Sequence, residues 1–452
     1  MHDFLDKLEN RLMPIAEAIS RNKYLVSIRD GFLVAMPLLV IGSIIMLISN
    51  FPITSWMTLM STTMINGVAL SAWLGSATQA TFSVMSVFVV LGIGYSFSKR
   101  MDVEPLFGGA VSLVSWFMLM PFVTSFTPDG ATEASLVASV PLDWVGSKGI
   151  FIGIICAFAS VRIFKWVTNK GWVIKMPAGV PPTVSNSFSA LVPIGAVIIV
   201  FLFVRLAFIL TPWGNAFNFI FQFLQLPLQH IGDSLGAMIV VYLFAHVLWF
   251  FGIHGSNITD SIFRPILYAL SAENLSALQA GEAMPHIINQ QFQDLFATYG
   301  GAGSTLSLII GMLMFSKSSR VKQLGKLSIL PGIFGINEPI IFGLPIVLNP
   351  VIAIPFILVP MFNIVVTWVV MNVGIVPITN GVIMPWTTPP IISGFLSSGW
   401  QGGIFQAIMI VIGVVIYLPF IQTIDKAYLK EEMEATTSKE DDISLDDLSF
   451  DD

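Results

Sequence analysis

Between Lys326 and Asp425 the chain carries a single charged residue, Glu338, among positions that are otherwise apolar, small or uncharged polar. A stretch of that kind cannot supply a water-facing surface, since soluble domains are about 25% charged. The whole chain shares this character, with 452 residues, 55% of them hydrophobic, 11% charged and a mean hydropathy of +0.82. An all-α polytopic membrane protein follows, because lipid tolerates backbone only where each polar group is bonded internally.

Apolar runs long enough to span fall near 27–50, 81–97, 105–126, 149–167 and 189–210. Basic residues sort between them: Lys7, Arg11, Arg21, Lys23 and Arg29 precede the first, Lys99 and Arg100 follow the second, and Arg162, Lys165, Lys170 and Lys175 follow the fourth. By the positive-inside rule the N-terminus is cytoplasmic. A sixth span is read at 236–253, a short seventh at 258–270 despite Arg264 and Pro265, an outer loop at 271–299 and an eighth span at 301–315. The basic loop Lys317, Arg320, Lys322 and Lys326 then lies inside.

Two later runs, near 330–345 and 376–395, are apolar but broken repeatedly by Pro and Gly. Interior prolines remove hydrogen bonds, so neither run suits a straight helix, and both are read as re-entrant hairpins. Ninth and tenth spans at 346–373 and 404–421 bring the total to about ten, with both termini cytoplasmic. Paired broken segments point to a transporter site near the midplane.

Residues 1–26 repeat Phe4, Leu5, Leu8, Leu12, Ile15 and Ile19 at helical spacing, which suits either an amphipathic helix on the cytoplasmic face or a plain solvated one. No cleavable signal peptide is expected there. Residues 27–213 form a five-helix half, and 214–424 a second half that holds every unusual polar group. The tail 425–452, with ten acids against Lys439 from Glu431 onward, reads as disordered and solvated, with partner docking as the other use. Cys156 sits alone in an apolar run and reads as a core or lipid-facing residue. No metal-ligand spacing, Walker loop or dinucleotide fingerprint occurs, so neither metal nor cofactor is expected, and no nucleic acid is expected as partner.

An ionisable group at membrane depth costs about 2.5–3.5 kcal/mol on insertion scales, which makes Glu338 a candidate for function. It lies in Gly335-Ile336-Asn337-Glu338-Pro339-Ile340-Ile341-Phe342-Gly343. Asn337 and Glu338 together offer donors and acceptors suited to polyol hydroxyls, and the carboxylate could accept a hydroxyl proton. The bland alternative is a buried strut that caps broken helix ends. Trp249-Phe250-Phe251-Gly252-Ile253-His254-Gly255 brackets His254 with glycines, as a ligand-facing turn or as a hydrogen-bonding strut; His246, in an unbroken helix, reads as a strut. In Pro385-Trp386-Thr387-Thr388-Pro389 the indole of Trp386 suits the C–H face of a sugar, or an interfacial anchor. Anchoring is the reading for Trp56, Trp73, Trp144, Trp213 and Trp400.

These segments, with Ser187-Phe188-Ser189-Ala190-Leu191-Val192-Pro193, resemble enzyme IIC, the permease subunit of the bacterial phosphoenolpyruvate-dependent sugar phosphotransferase system, in its lactose/cellobiose/diacetylchitobiose branch. The resemblance spans nearly the whole chain. It implies a homodimer in the bacterial cytoplasmic membrane, joined through the N-terminal half, that carries a β-linked disaccharide inward. A phosphocysteine on a separate enzyme IIB, with enzyme IIA upstream, would phosphorylate the sugar's 6-hydroxyl. By the same resemblance Glu338 and His254 would bind that hydroxyl and assist its deprotonation, while Asn337, Trp249, Gly255, Trp386 and Thr387 shape the pocket. The stretch from Ser256 to Arg264 fits the branch less closely and leaves the sugar open.

Two other readings stand beside this one. A proton-coupled secondary transporter would use Glu338 as its protonation site and show the same isolated charge and broken helices. An intramembrane hydrolase using Glu338 and His254 lacks a nucleophile motif and metal ligands.

Overall fold

The structure is a computed structural model that describes residues 14, 17–19, 21–49, 51, 54–127, 135–177, 179–344, 346 and 349–446. Most of the N-terminal segment read as an amphipathic helix therefore lies outside the described residues. The chain divides into two compact units that interleave in sequence. The first comprises Met1–Ser234, Asn257–Gln290 and Asn380–Met384; the second comprises Leu235–Ser256, Gln291–Thr379 and Pro385–Asp452. Among the described residues six helices are long and apolar enough to cross a membrane by themselves.

In the first unit α1 (Lys23–Ser49) starts where the Asn22 side chain accepts the Tyr24 N–H at 2.9 Å. It is followed by α2 (Thr54–Thr62), α3 (Leu70–Thr81), α4 (Met85–Arg100) and α5 (Pro105–Leu119). Between α2 and α3 a two-residue turn, Asn66-Gly67, both at positive φ, joins the short strands β1 (Met64–Ile65) and β2 (Val68–Ala69). The third apolar run was expected to stay helical to residue 126, but α5 stops at Leu119. Met120 is extended ahead of Pro121, and the chain enters a hairpin of β3 (Val123–Phe126) with β4 (Ser135–Ala138). Then come α6 (Leu142–Val145), α7 (Ile150–Asn169), α8 (Pro182–Ile209), α9 (Ala216–Ile220) and α10 (Leu226–Gly232).

Lipid is as apolar as leucine, so close backbone approach rather than hydrophobicity must hold these helices together. Small residues provide it: a Cβ on Gly92 would lie 2.9 Å from the Gly31 carbonyl oxygen, and one on Gly94 2.8 Å from that of Gly108. Polar groups add to the packing. The Arg100 guanidinium meets the Asp30 carboxylate at 2.7 Å, tying α4 to α1, and Trp116 Nε1 donates to the Gly149 carbonyl at 3.1 Å. Cys156 lies in the resulting core. By contrast α8 turns Ile199, Val200, Phe203 and Leu206 outward, a face that needs lipid or another chain to cover it.

A short crossing was expected at 258–270 and an outer loop at 271–299; the structure has instead a 26-residue helix that runs on to residue 280 and is joined at a tight turn to the helix before it. Here α11 is Leu235–Phe250 and α12 is Gly255–Ala280. The helix passes through Arg264 and Pro265 because Arg264 pairs with Asp260 one turn earlier, which neutralises the charge that argued for a break. With that pair and its later Glu273, α12 is not among the helices apolar enough to span.

Near its end α12 presents Glu273 to His286. The imidazole is held on both sides, Nδ1 at 2.9 Å from Asp233 and Nε2 at 2.7 Å from Glu273, while Gln229 donates to the other Glu273 oxygen at 2.7 Å. Burial works against the charged form, but the two carboxylates outweigh it and raise His286 from its ordinary 6.5 to about 9. Glu273 also lines a cavity of about 610 Å³ with Asp143, Lys148, Gln279 and Glu282.

In the second unit α11 is joined by α13 (Thr305–Phe315), α14 (Ser319–Ile333), α15 (Glu338–Gly343), α16 (Pro350–Asn372) and α17 (Ile392–Asp446). Trp249, Leu308, Ile340, Ile341, Phe356 and Tyr417 share its core. The first breaker-rich run is a helix-turn-helix, α14 and α15. The second is different: residues 374–391 are irregular, and helix resumes at Ile392 with a break at Ser398 and Gly399. The acidic tail read as disordered is helical to Asp446. Part of the reason is electrostatic: Asp425 accepts the N–H groups of Lys317 and Ser318 at 2.8 and 2.9 Å, and Glu432 accepts from the Ser318 hydroxyl at 2.7 Å and the Arg320 N–H at 3.0 Å. Carboxylates belong at a helix N-terminus, here that of α14.

Candidate functional site

The candidate site residues Trp249, His254, Gly255, Asn337, Glu338, Trp386 and Thr387 all fall in the second unit. Three of its turns carry them. The first leaves α11 at Trp249, reverses at Gly252 with φ +80°, and reaches His254 just before α12. The Trp249 and His254 rings lie 4.3 Å apart at 48°, and the indole N–H of Trp249 points to the Ser256 hydroxyl at 3.3 Å. Gly255 is buried, and any side chain there would run into the Ala245 carbonyl. Its part is to let the turn close.

The second turn links α14 to α15. Gly335 has φ +78°, and a Cβ on it would lie 3.1 Å from the Trp386 ring, so the indole sits directly over this glycine. Asn337 is buried and its amide donates to the Ala302 carbonyl at 2.9 Å. That bond makes it, at least through its nitrogen, a strut. Glu338 begins α15 and is exposed, and among the described residues no cation pairs with it. Its oxygens are available to accept from a hydroxyl.

The third turn, Pro385 to Thr388, closes through the Thr388 N–H and hydroxyl, both on the Pro385 carbonyl at 2.9 and 2.7 Å. It presents Trp386, 47% exposed, with Thr387 half-buried beside it. Trp386 and Gly335 join the second and third turns. The first is linked through Trp249, which is buried in the same core as Ile340 and Ile341. An exposed carboxylate, an exposed imidazole and an exposed indole thus occupy the turns of one unit. They can accept hydroxyl hydrogens and cover an apolar ring face.

A fourth element escaped the sequence reading, which took 301–315 as the eighth span. Gly300, Gly301 and Gly303 have φ of +78°, +88° and +77°, and Ser304 has +55°. This glycine loop passes so close to the hairpin that a Cβ on Gly301 would be 2.6 Å from the Gly335 carbonyl oxygen. Its signal was three glycines within four residues. The expected strut His246 holds the loop: its Nδ1–H donates to the Tyr242 carbonyl at 2.7 Å and its Nε2 accepts the Gly303 N–H at 3.0 Å. Tyr417 donates to the Gly303 carbonyl at 2.6 Å.

Comparison with known proteins gives consistent matches. The family model for "Phosphotransferase system, EIIC" matches residues 29–360. The oligo-beta-mannoside-specific EIIC component of Bacillus subtilis is 41% identical over 95% of this chain and 96% of its own. The cellobiose-specific EIIC component of Geobacillus stearothermophilus is 39% identical over 96% of each chain. Among solved structures, the transporter ChbC, the IIC component from the N,N'-diacetylchitobiose-specific phosphotransferase system, superposes with a TM-score of 0.90 at 40% identity, over 94% of this chain and 99% of that one.

Proposed function

Because the chain belongs to the phosphotransferase system EIIC family, we propose that it binds a β-linked disaccharide at the turns bearing His254, Glu338 and Trp386 and carries it across the membrane for phosphorylation by a partner EIIB. The observation that carries this reading is Glu338, exposed at the start of α15 in a stretch otherwise free of charge, with Trp386 seated over Gly335 in the same hairpin. The carboxylate accepts a sugar hydroxyl, and Trp386 covers a pyranose face.

In the transfer step the 6-hydroxyl oxygen attacks phosphorus, the P–S bond of the partner's phosphocysteine breaks, and the hydroxyl proton passes to Glu338 or His254. Little covalent chemistry is asked of this chain beyond positioning and proton acceptance. The ten-crossing arrangement with cytoplasmic termini belongs to this proposal, as does a homodimer in the bacterial cytoplasmic membrane. The outward apolar face of α8 in the N-terminal half supports the dimer.

Purified protein titrated with cellobiose, diacetylchitobiose, lactose and glucose identifies the sugar. Phosphorylated EIIB added to the bound complex should then yield sugar phosphate. Uptake into liposomes that requires a proton gradient and proceeds without a phosphoryl donor would overturn the proposal in favour of secondary transport.

A further inference from the structure

Arg162, Lys165, Trp166 and Asn169 stand at i, i+3, i+4 and i+7 on the last turns of α7 and therefore share one face. With Ile163 and Met101, the residue that follows α4, they line a shallow cavity of about 420 Å³. The Arg162 guanidinium lies 5.3 Å from the Tyr24 ring centroid and, among the described residues, has no carboxylate partner. Lys165 is held only loosely, 3.7 Å from an Asp102 carboxylate that is itself 89% exposed. Beside them Trp166 is exposed and meets Trp172 edge to face at 5.5 Å.

Further down, the same face of α7 changes character. Ile155 and Ala159, seven and three residues before Arg162, are exposed and half-buried, and neither is polar. The stripe is thus amphiphilic along the helix axis: apolar in the body of a helix long enough to span, cationic and aromatic at its end. Free phosphate would engage only the end. A molecule with an anionic head and acyl chains would engage all of it, and basic pockets between spans at headgroup level bind such lipids.

The geometry points to a binding site for an anionic phospholipid, its phosphate between Arg162 and Lys165 and its acyl chain along Ile155 and Ala159. Trp166 sits at the boundary between the two, as interfacial indoles do. The assignment does not depend on the sugar site, which lies in the other unit.

The test uses the full-length protein in mild detergent with added phosphatidylglycerol, phosphatidylcholine or inorganic phosphate, reading lipid retention by native mass spectrometry and the thermal midpoint. Phosphatidylglycerol should be retained preferentially and raise the midpoint, and inorganic phosphate should not replace it. Each cation near a lipid surface accounts for about a fivefold change in affinity, so Arg162→Gln with Lys165→Gln should weaken the preference about 25-fold. Arg162→Lys should restore most of it in the Lys165 background. Lys170→Gln with Lys175→Gln, which removes the same charge outside the stripe, should leave it intact. Equal loss in that control pair, no preference for phosphatidylglycerol in the unaltered protein, or full replacement by inorganic phosphate would each overturn the site.

Discussion

Glu338→Gln tests the proposed role of the carboxylate with the least change in shape. The side chain is exposed and unpaired with any cation among the described residues, so the amide displaces nothing inside the protein. Exposed substitutions of this kind stay within about 0.5 kcal/mol of stability, so the thermal midpoint should barely move. A hydrogen bond to a charged group contributes about 1.5–3 kcal/mol and one between neutral groups about 0.5–1.5. The difference, about 1–1.5 kcal/mol, is roughly a tenfold rise in the Kd for the sugar, measured by calorimetry. If Glu338 also takes the hydroxyl proton, phosphoryl transfer from phosphorylated EIIB at saturating sugar should fall by a further factor of about 100 or more. Unchanged Kd and unchanged transfer would refute the reasoning. So would loss of the folded protein, because that would make Glu338 a strut.

Other parts of the structure give readouts of their own. Trp386→Ala should raise the sugar Kd about tenfold by removing the indole face while leaving the thermal midpoint near that of the parent protein. Asn337→Ala leaves the Ala302 carbonyl without its buried donor and should cost about 1–3 kcal/mol of stability, seen as a lower midpoint before any effect on transfer is considered. His286 has a raised pKa of about 9, so the stability it adds is fully present below its unfolded value near 6.5 and is lost as pH rises through about 9. Thermal midpoints measured from pH 6 to 10 should therefore fall with rising pH, and His286→Gln should flatten that fall; an unchanged slope would show that the imidazole is not clamped between its carboxylates.

The helices that proved legible are those where apolar length was uninterrupted. The run at 149–167 became Ile150–Asn169 and the run at 236–253 became Leu235–Phe250. The start of α8 at Pro182, earlier than the apolar run, follows from proline's fitness for the first turn, a signal at hand but outweighed by hydropathy. Where sequence patterns misled, a distant or local partner had changed the meaning of a residue. Arg264 looked like a break because its pairing with Asp260 was not weighed. Glu432 looked solvated because nothing local shows that Ser318 and Arg320 will be waiting for it. The second breaker-rich run was legible in one respect: its many Pro and Gly residues exclude a straight helix, and residues 376–391 are irregular.

The candidate residues separate into buried ones that satisfy backbone and exposed ones at the turns, and the separation follows local sequence context. Irregular backbone at membrane depth must find partners inside the protein. His246, Asn363, Gln406 and Tyr417 all come from helices and are all buried. Each is spent on nearby irregular backbone: Gly303 N–H for His246, the Ala297 carbonyl and Ser304 hydroxyl for Asn363, the Ile391 N–H for Gln406, and the Gly303 carbonyl for Tyr417. His254, Glu338 and Trp386 come from the turns and are exposed. Asn337 crosses the line, because it lies in a turn yet faces the glycine loop that reading by hydropathy had folded into a helix. A polar residue in an unbroken apolar helix is thus the mark of a strut, and one beside Gly or Pro marks the site only when no second glycine loop is near enough to claim it.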